Sequence, residues 1–232
     1  RYPPDAPAWN DFRIPHVTFA SALSHIVPFS AAEGYRALYR LYAERFGKPR
    51  WGDKTPMYGL HLPLIARHLP EARFIHVVRD GRDVALSLRQ MWFSPGESME
   101  ALAAHWSHFV STARRDGSPT GRYLELKYED LLCDTRRVLE TLCAFIDLPF
   151  SDRMLAYYRS TPRRLEEHGD RFRLDGTLVV SSAGRLHQQA MTLRPPSPDR
   201  IGVWRTAMTA EELTRFEAVS GELLEQLGYE LS

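Results

Sequence analysis

The stretch RFIHVVRDGRDVALSL (73–88) carries four charged side chains and a glycine, Arg79-Asp80-Gly81-Arg82-Asp83, at the point where one apolar pattern stops and another begins. The run Phe74–Val78 is short, continuous and apolar, which suits a strand buried on both faces. From about Gly81 to Trp92 the apolar residues recur at helical spacing. Asp80 then stands at the N-cap and Asp83 in the first turn, where negative charge complements the helix dipole. Positions 80, 83, 84 and 87 share roughly one helix face, so Ser87 can present its hydroxyl toward the helix mouth beside Arg79. A guanidinium fork, a hydroxyl and a helix N-terminus together suit a phosphate. The competing reading is a solvated junction in which Arg79–Asp83 and Arg82 form surface ion pairs contributing roughly 0–1 kcal/mol.

Two further segments have the same character. WGDKTP (51–56) lies at the exit of a short predicted strand, 50–54. Lysine occurs here only at 48, 54 and 127 among 30 Lys and Arg, so the ammonium of Lys54 stands out against a background of arginine. Its compact charge on a flexible stem can reach into a site. Thr55 offers a donor, and Pro56 fits the first turn of a helix. LKYEDLL (126–132) sets Tyr128, Glu129 and Asp130 at the end of a third predicted strand, where a tyrosine can stack on a base or donate to a phosphate. Taken singly, Lys54 also reads as a surface turn residue and Tyr128 as packing at the rim of the core.

The elements that must position these residues follow from pattern. Ser30-Ala-Ala-Glu33 is a capping box ahead of Tyr35, Leu38, Tyr39, Tyr42 and Phe46, and Gly47 ends that helix. Residues 57–69 read as a helix disturbed by Pro63. Ser94-Pro-Gly-Glu97 opens a helix over about 97–115, residues 116–121 form a turn, and 122–128 alternate as a strand. Asp134 caps a helix bearing Val138, Leu142, Phe145 and Ile146, and Thr209-Ala-Glu-Glu212 caps a last helix stopped by Gly228. Residues 160–200 read as irregular, rich in Arg and Pro, and suited to covering a site. Strands alternating with helices predict an α/β fold with a mainly parallel sheet, in which ligands sit beyond the carboxyl ends of the strands.

The totals set bounds. A chain of 232 residues, 44% hydrophobic, 25% charged and with net charge +1, is that of one globular domain, 1–232. Its charge gives no reason to expect nucleic acid as a partner. No apolar run approaches the roughly 20 residues of a membrane span. Cys133, read on a loop, and Cys143, read on the following helix, suit packing rather than a metal or a disulfide. With few cysteines and no leader pattern at the start of the sequence, a cytoplasmic setting is expected. His76 reads as a core or lining residue, and His105 with His108 lack a third ligand for a metal.

The segments DKTP, FIHVVRDGRDVALS, KYEDL, RIGVWR and LLEQLGY occur in an order that resembles the sulfotransferases using 3′-phosphoadenosine 5′-phosphosulfate (PAPS), in particular the bacterial group similar to tyrosylprotein sulfotransferases. The resemblance runs from about residue 50 to the end, and its most specific part is the Arg-x7-Ser element of residues 79–87. It implies a three-layer fold like that of the P-loop NTPases, with a mainly parallel sheet flanked by helices. It further implies that Arg79 and Ser87 hold the 3′-phosphate of PAPS and that Tyr128 contacts the nucleotide near its adenosine. Lys54 would stabilise charge on the transferring group, and Arg194 would add a basic phosphate contact. The reaction implied moves a sulfuryl group to a hydroxyl or amine without a metal. The acceptor is left open among small alcohols, carbohydrates, lipids and peptides.

No Ser-Gly-Thr-Thr loop, G-x-x-x-x-G-K-[ST] or G-x-G-x-x-G motif occurs anywhere. The resemblance therefore implies an N-terminally truncated domain lacking its first strand and phosphate loop, roughly 50–90 residues. The general base is undetermined: some relatives have a histidine two residues after the lysine, where this chain has Pro56. Two other functions compete with a transferase, a non-catalytic nucleotide-binding or interaction module and an ATP-binding P-loop kinase relative.

Overall fold

The computed structural model describes residues 9–91, 94–173 and 175–232, with the side chain of Asn10 left aside. The helices are α1 (Trp9–Phe12), α2 (His16–Ser24), α3 (Ala31–Glu44), α4 (Leu62–His68), α5 (Gly81–Leu88), α6 (Met99–Gly117), α7 (Tyr128–Cys133), α8 (Thr135–Phe145), α9 (Thr161–Leu165), α10 (Ser182–Gln188), α11 (Trp204–Ala207) and α12 (Ala210–Gln226). The strands are β1 (Phe74–Val78), β2 (Tyr123–Lys127), β3 (Arg171–Phe172) and β4 (Leu178–Val180). The result is an α/β chain, mostly helical, with a small parallel sheet.

The chain divides into two compact units, one running to Lys54 and including Asp152–Pro195, the other formed by Thr55–Ser151 and Pro196–Ser232. The second unit holds the parallel pair β1–β2, in register from Phe74↔Tyr123 to Val78↔Lys127. That register matters for function. Both strands end level, so the residues that follow them, Arg79 and Tyr128, leave the sheet side by side. The core lies between β1, α5, α6 and α12 and includes Val78, Leu102, Trp106, Trp204, Phe216 and Leu224. Helix α12 approaches α6 closely because small residues meet there. Ser220 donates to the Ala103 carbonyl (3.2 Å) and bonds Ser107 (2.9 Å).

β1 is not buried on both faces as its sequence suggested. Ile75 and Val77 are 40% and 45% exposed, whereas Val78 is 2% exposed. The face bearing Val78 packs toward α6; the face bearing Ile75 and Val77 is only partly covered, and β1 pairs on one edge alone among the described residues. An apolar run therefore recorded a strand but not how many layers cover it.

Several boundaries follow their signals. Ser30 accepts from the Glu33 amide (3.1 Å), Asp134 from Arg137 (3.3 Å), and Thr209 and Glu212 form both halves of a capping box. Pro63 stands in the first turn of α4, after a separate 3-10 turn Pro56–Leu60. Helix α5 closes at Leu88 rather than continuing, and Trp92 lies outside the described residues. Residues 50–54 are not a strand but a loop held by side chains. The 160–200 region is more ordered than its composition implied, with α9, an antiparallel β3–β4 pair and α10. Buried Arg185 organises part of it, binding Asp11 with both terminal nitrogens (2.8 and 2.6 Å) and the Gly169 carbonyl (2.7 Å). Burial alone would raise the Asp11 carboxyl, but Arg185 outweighs it and holds the pKa below its ordinary value. Cys143 is buried, but Cys133 is exposed on α7 and packs no core. No described helix is long and apolar enough to cross a membrane.

Candidate functional site

The strand-to-helix turn at 79–83 is largely buried, so the solvated-junction alternative does not hold. Asp80, Arg82 and Asp83 are 6%, 1% and 2% exposed. Each has a separate structural task. Asp80 caps α5 by accepting from the Arg82 amide (2.9 Å) and grips the Arg82 guanidinium from the side (3.0 and 2.8 Å). Arg82 also donates to Glu217 of α12 (2.7 Å) and to the Glu230 carbonyl (2.8 Å). Its guanidinium lies over the Trp204 ring at 3.6 Å. Burial opposes the charge on Arg82, yet Asp80 and then Glu217 more than offset this and raise its pKa. The Asp83 carboxylate accepts from the amides of Gly202 (2.9 Å) and Trp204 (3.0 Å) and so fixes the loop before α11.

Gly81 has a steric reason. A Cβ there would stand 2.6–2.8 Å from the Trp106 indole. That indole donates to the Arg79 carbonyl (3.2 Å) and closes the turn from the α6 side. From the first turn of α7, Glu129 accepts from the Asp80 amide (2.9 Å) and from the Tyr229 hydroxyl (3.0 Å). Burial, with the Glu129 charge behind it, pushes the Tyr229 phenol well above its ordinary value, so it stays a donor. The short segments KYED, RIGVWR and LGY thus meet around one turn. The sequence pattern assigns none of these contacts; the available signal is the occurrence of these segments together in one chain.

Arg79 is what remains at the mouth. Its side chain is 17% exposed and lies 3.4 Å from Asp83. One terminal nitrogen donates to the Arg200 carbonyl (2.5 Å), and the guanidinium faces the Tyr128 ring at 4.9 Å. Its Nε is buried without a hydrogen-bond partner among the described residues. A buried unsatisfied donor is costly, about 1–3 kcal/mol. Ser87 is half-buried on α5, one turn beyond Asp83. The structure therefore brings Arg79 and Tyr128 together at the carboxyl ends of a parallel pair, with Ser87 on the helix that starts there.

Lys54 and Arg194 belong to the other unit. Lys54 is exposed at the end of the loop 50–54. Arg194 is exposed too, and its carbonyl accepts from the Tyr157 hydroxyl (3.0 Å).

His76 lies in a polar network on the α6 side of the sheet. Its Nδ1 meets the Tyr123 hydroxyl (2.5 Å), which donates to Glu125 (3.1 Å), and Arg114 pairs with Glu125 (3.1 Å). Burial holds the imidazole below its ordinary value, partly opposed by Glu125. Among the described residues no group of three His, Cys, Asp or Glu side chains is arranged to hold a metal.

The family model described as "Sulfotransferase family" matches residues 5–152, beginning well ahead of the DKTP segment. The matched stretch contains Lys54, Arg79, Ser87 and Tyr128 but not Arg194. The chain is 30% identical over 115 residues to a putative protein-tyrosine sulfotransferase of Caenorhabditis elegans, covering 47% of the chain and 44% of that protein. It is 31% identical over 132 residues to an uncharacterised protein of Aquifex aeolicus, covering 51% of the chain and 17% of that protein. The chain thus spans less than half the length of these curated relatives. Among solved structures it is similar to the sulfotransferase domain of the Synechococcus PCC 7002 olefin synthase, with TM-score 0.62, 21% identity, 97% of this chain covered and 74% of that one. At that identity the likeness concerns the fold. With a family match over more than half of its length, the chain belongs to the sulfotransferase family.

Proposed function

We propose that this protein moves a sulfuryl group from PAPS to a hydroxyl or amine acceptor and releases 3′,5′-ADP. The observation that carries this reading is Arg79, whose buried Nε has no partner among the described residues. A phosphate oxygen would satisfy that donor, and the ring of Tyr128 beside it offers a flat apolar surface to a nucleotide. Arg79 and Ser87 bind the 3′-phosphate in this reading, and Tyr128 lies against the nucleoside. The nucleotide, when bound, supplies an activated sulfate whose leaving oxygen gains negative charge. Lys54 provides the compact cation that stabilises such charge, and Arg194 adds a phosphate contact from its loop. Catalysis of this type consists mainly of positioning and electrostatics, as in phosphoryl transfer. In this reading residues 1–232 belong to a single sulfotransferase-like domain.

The C. elegans relative is named for protein tyrosine, which puts peptide tyrosine first among the acceptors to assay, followed by small alcohols, carbohydrates and lipids. The test is a separation of effects. Lys54→Ala should lower turnover about 10²–10³-fold, the scale of removing one charge-stabilising group, while the affinity for 3′,5′-ADP stays within twofold. Unchanged turnover would remove Lys54 from the mechanism. Tighter binding of ATP than of 3′,5′-ADP would favour a kinase-like protein instead.

A further inference from the structure

Lys54 needs a defined position to act, yet among the described residues its loop makes no ladder hydrogen bonds to supply one. Two contacts to a single residue of α3 stand in for the ladder. The ring of Tyr39 stacks on Trp51, with centroids 4.5 Å apart and planes 13° apart. The Tyr39 hydroxyl donates to the Asp53 carboxylate, next to Lys54 in the chain. Tyr39 is itself well held: it is 9% exposed, and Phe12 meets its ring edge-on with centroids 6.1 Å apart. The capped helix α3 thus extends one rigid side chain that grips the loop three residues and one residue before the lysine.

We infer that Tyr39 is a positioning residue for Lys54, acting through Trp51 and Asp53. This rests on the assignment of Lys54 as the charge-stabilising group. The physical argument is that a long, flexible ammonium side chain can be aimed only if its backbone is fixed, and that a misplacement of about 1 Å at a reacting centre can cost roughly 10²-fold. The stack fixes where the loop lies. The hydroxyl–carboxylate bond fixes its rotation next to Lys54.

The test uses the whole protein and two readouts. In ligand-free protein, Tyr39→Phe keeps the stack but loses the hydroxyl, so amide hydrogen exchange over 50–55 should quicken about tenfold while exchange within α3 stays unchanged. In PAPS turnover with a tyrosine peptide as acceptor, Tyr39→Phe and Asp53→Ala should each lower kcat about tenfold, with 3′,5′-ADP affinity within twofold. Asp53→Asn, which still offers an oxygen to Tyr39, should restore most of the rate. In a Lys54→Ala background Tyr39→Phe should cost nothing further. Wild-type kcat for Tyr39→Phe, or a full additional loss without Lys54, overturns the inference while leaving the role of Lys54 standing. Unchanged turnover in Lys54→Ala alone overturns both.

Discussion

The two segments that carry the candidate chemistry are built in opposite ways. The turn at 79–83 is buried and tied to the rest of its unit by Trp106, Glu129, Gly202, Trp204, Glu217 and the Glu230 carbonyl. The loop at 50–54 is exposed and gripped by Tyr39. In the first, charge is used mainly for architecture: Asp80 and Glu217 hold Arg82, Asp83 holds the backbone at Gly202 and Trp204, and Arg79 keeps a buried donor without a hydrogen-bond partner among the described residues. In the second, the charged residue of interest remains in solvent and its neighbours do the holding. Damage to the turn should therefore register as lost stability, and damage to the loop as lost rate in a folded protein.

The largest effect expected is at Arg82. Arg82→Ala leaves Asp80 and Glu217 without their buried cation and should destabilise the protein by about 3–5 kcal/mol, read as a large fall in the urea midpoint. A loss below about 1 kcal/mol would mean the turn is not the structural hub described. Gly81→Ala drives a methyl group into the Trp106 indole. Overpacking of this kind costs about 1–3 kcal/mol, and Trp106 fluorescence should shift with it. Trp51→Ala should sharpen the contrast. It removes a partly exposed stack worth about 0.5–1.5 kcal/mol, so it should barely move the melting temperature while lowering turnover. The reverse pattern would break the comparison.

The smallest effect concerns pH. Burial holds His76 below its ordinary value of 6.5. The unfolded chain therefore takes up this proton at higher pH than the folded one, and acidification favours unfolding. The stability His76 contributes is complete above about pH 6.5 and is lost as pH falls toward its folded-state value. His76→Gln should flatten the stability profile in that window. An identical slope in both proteins would show that the imidazole is not held neutral.

Much of this was legible in the sequence. The caps at Ser30, Asp134 and Thr209 act within a few residues, and so their patterns located the helix starts. β1 and β2 fell where apolar runs and alternation placed them. The placement of Arg79 beside Tyr128 follows from two strands ending in register, which a reading of strand ends anticipates. What the sequence concealed is long-range. Whether Arg82 and Asp83 are solvated or buried depends on Glu217, Gly202 and Trp204, more than a hundred residues away. The half-covered face of β1 depends on which layers pack on it, and residues 50–54 lost their strand because side chains rather than a neighbouring ladder hold them. Composition likewise could not show that Arg185 and Asp11 order part of the 160–200 region.

The central claim is that Arg79 receives the 3′-phosphate of a nucleotide. Isothermal titration of the protein and of Arg79→Ala with 3′,5′-ADP, and with ATP as the comparison ligand, tests it most directly. The account predicts that the protein binds 3′,5′-ADP more tightly than ATP. It also predicts that Arg79→Ala weakens 3′,5′-ADP by about 10- to 100-fold, the worth of a charge-assisted hydrogen bond of roughly 1.5–3 kcal/mol, while the variant remains folded. Equal affinity for 3′,5′-ADP in both proteins would contradict it.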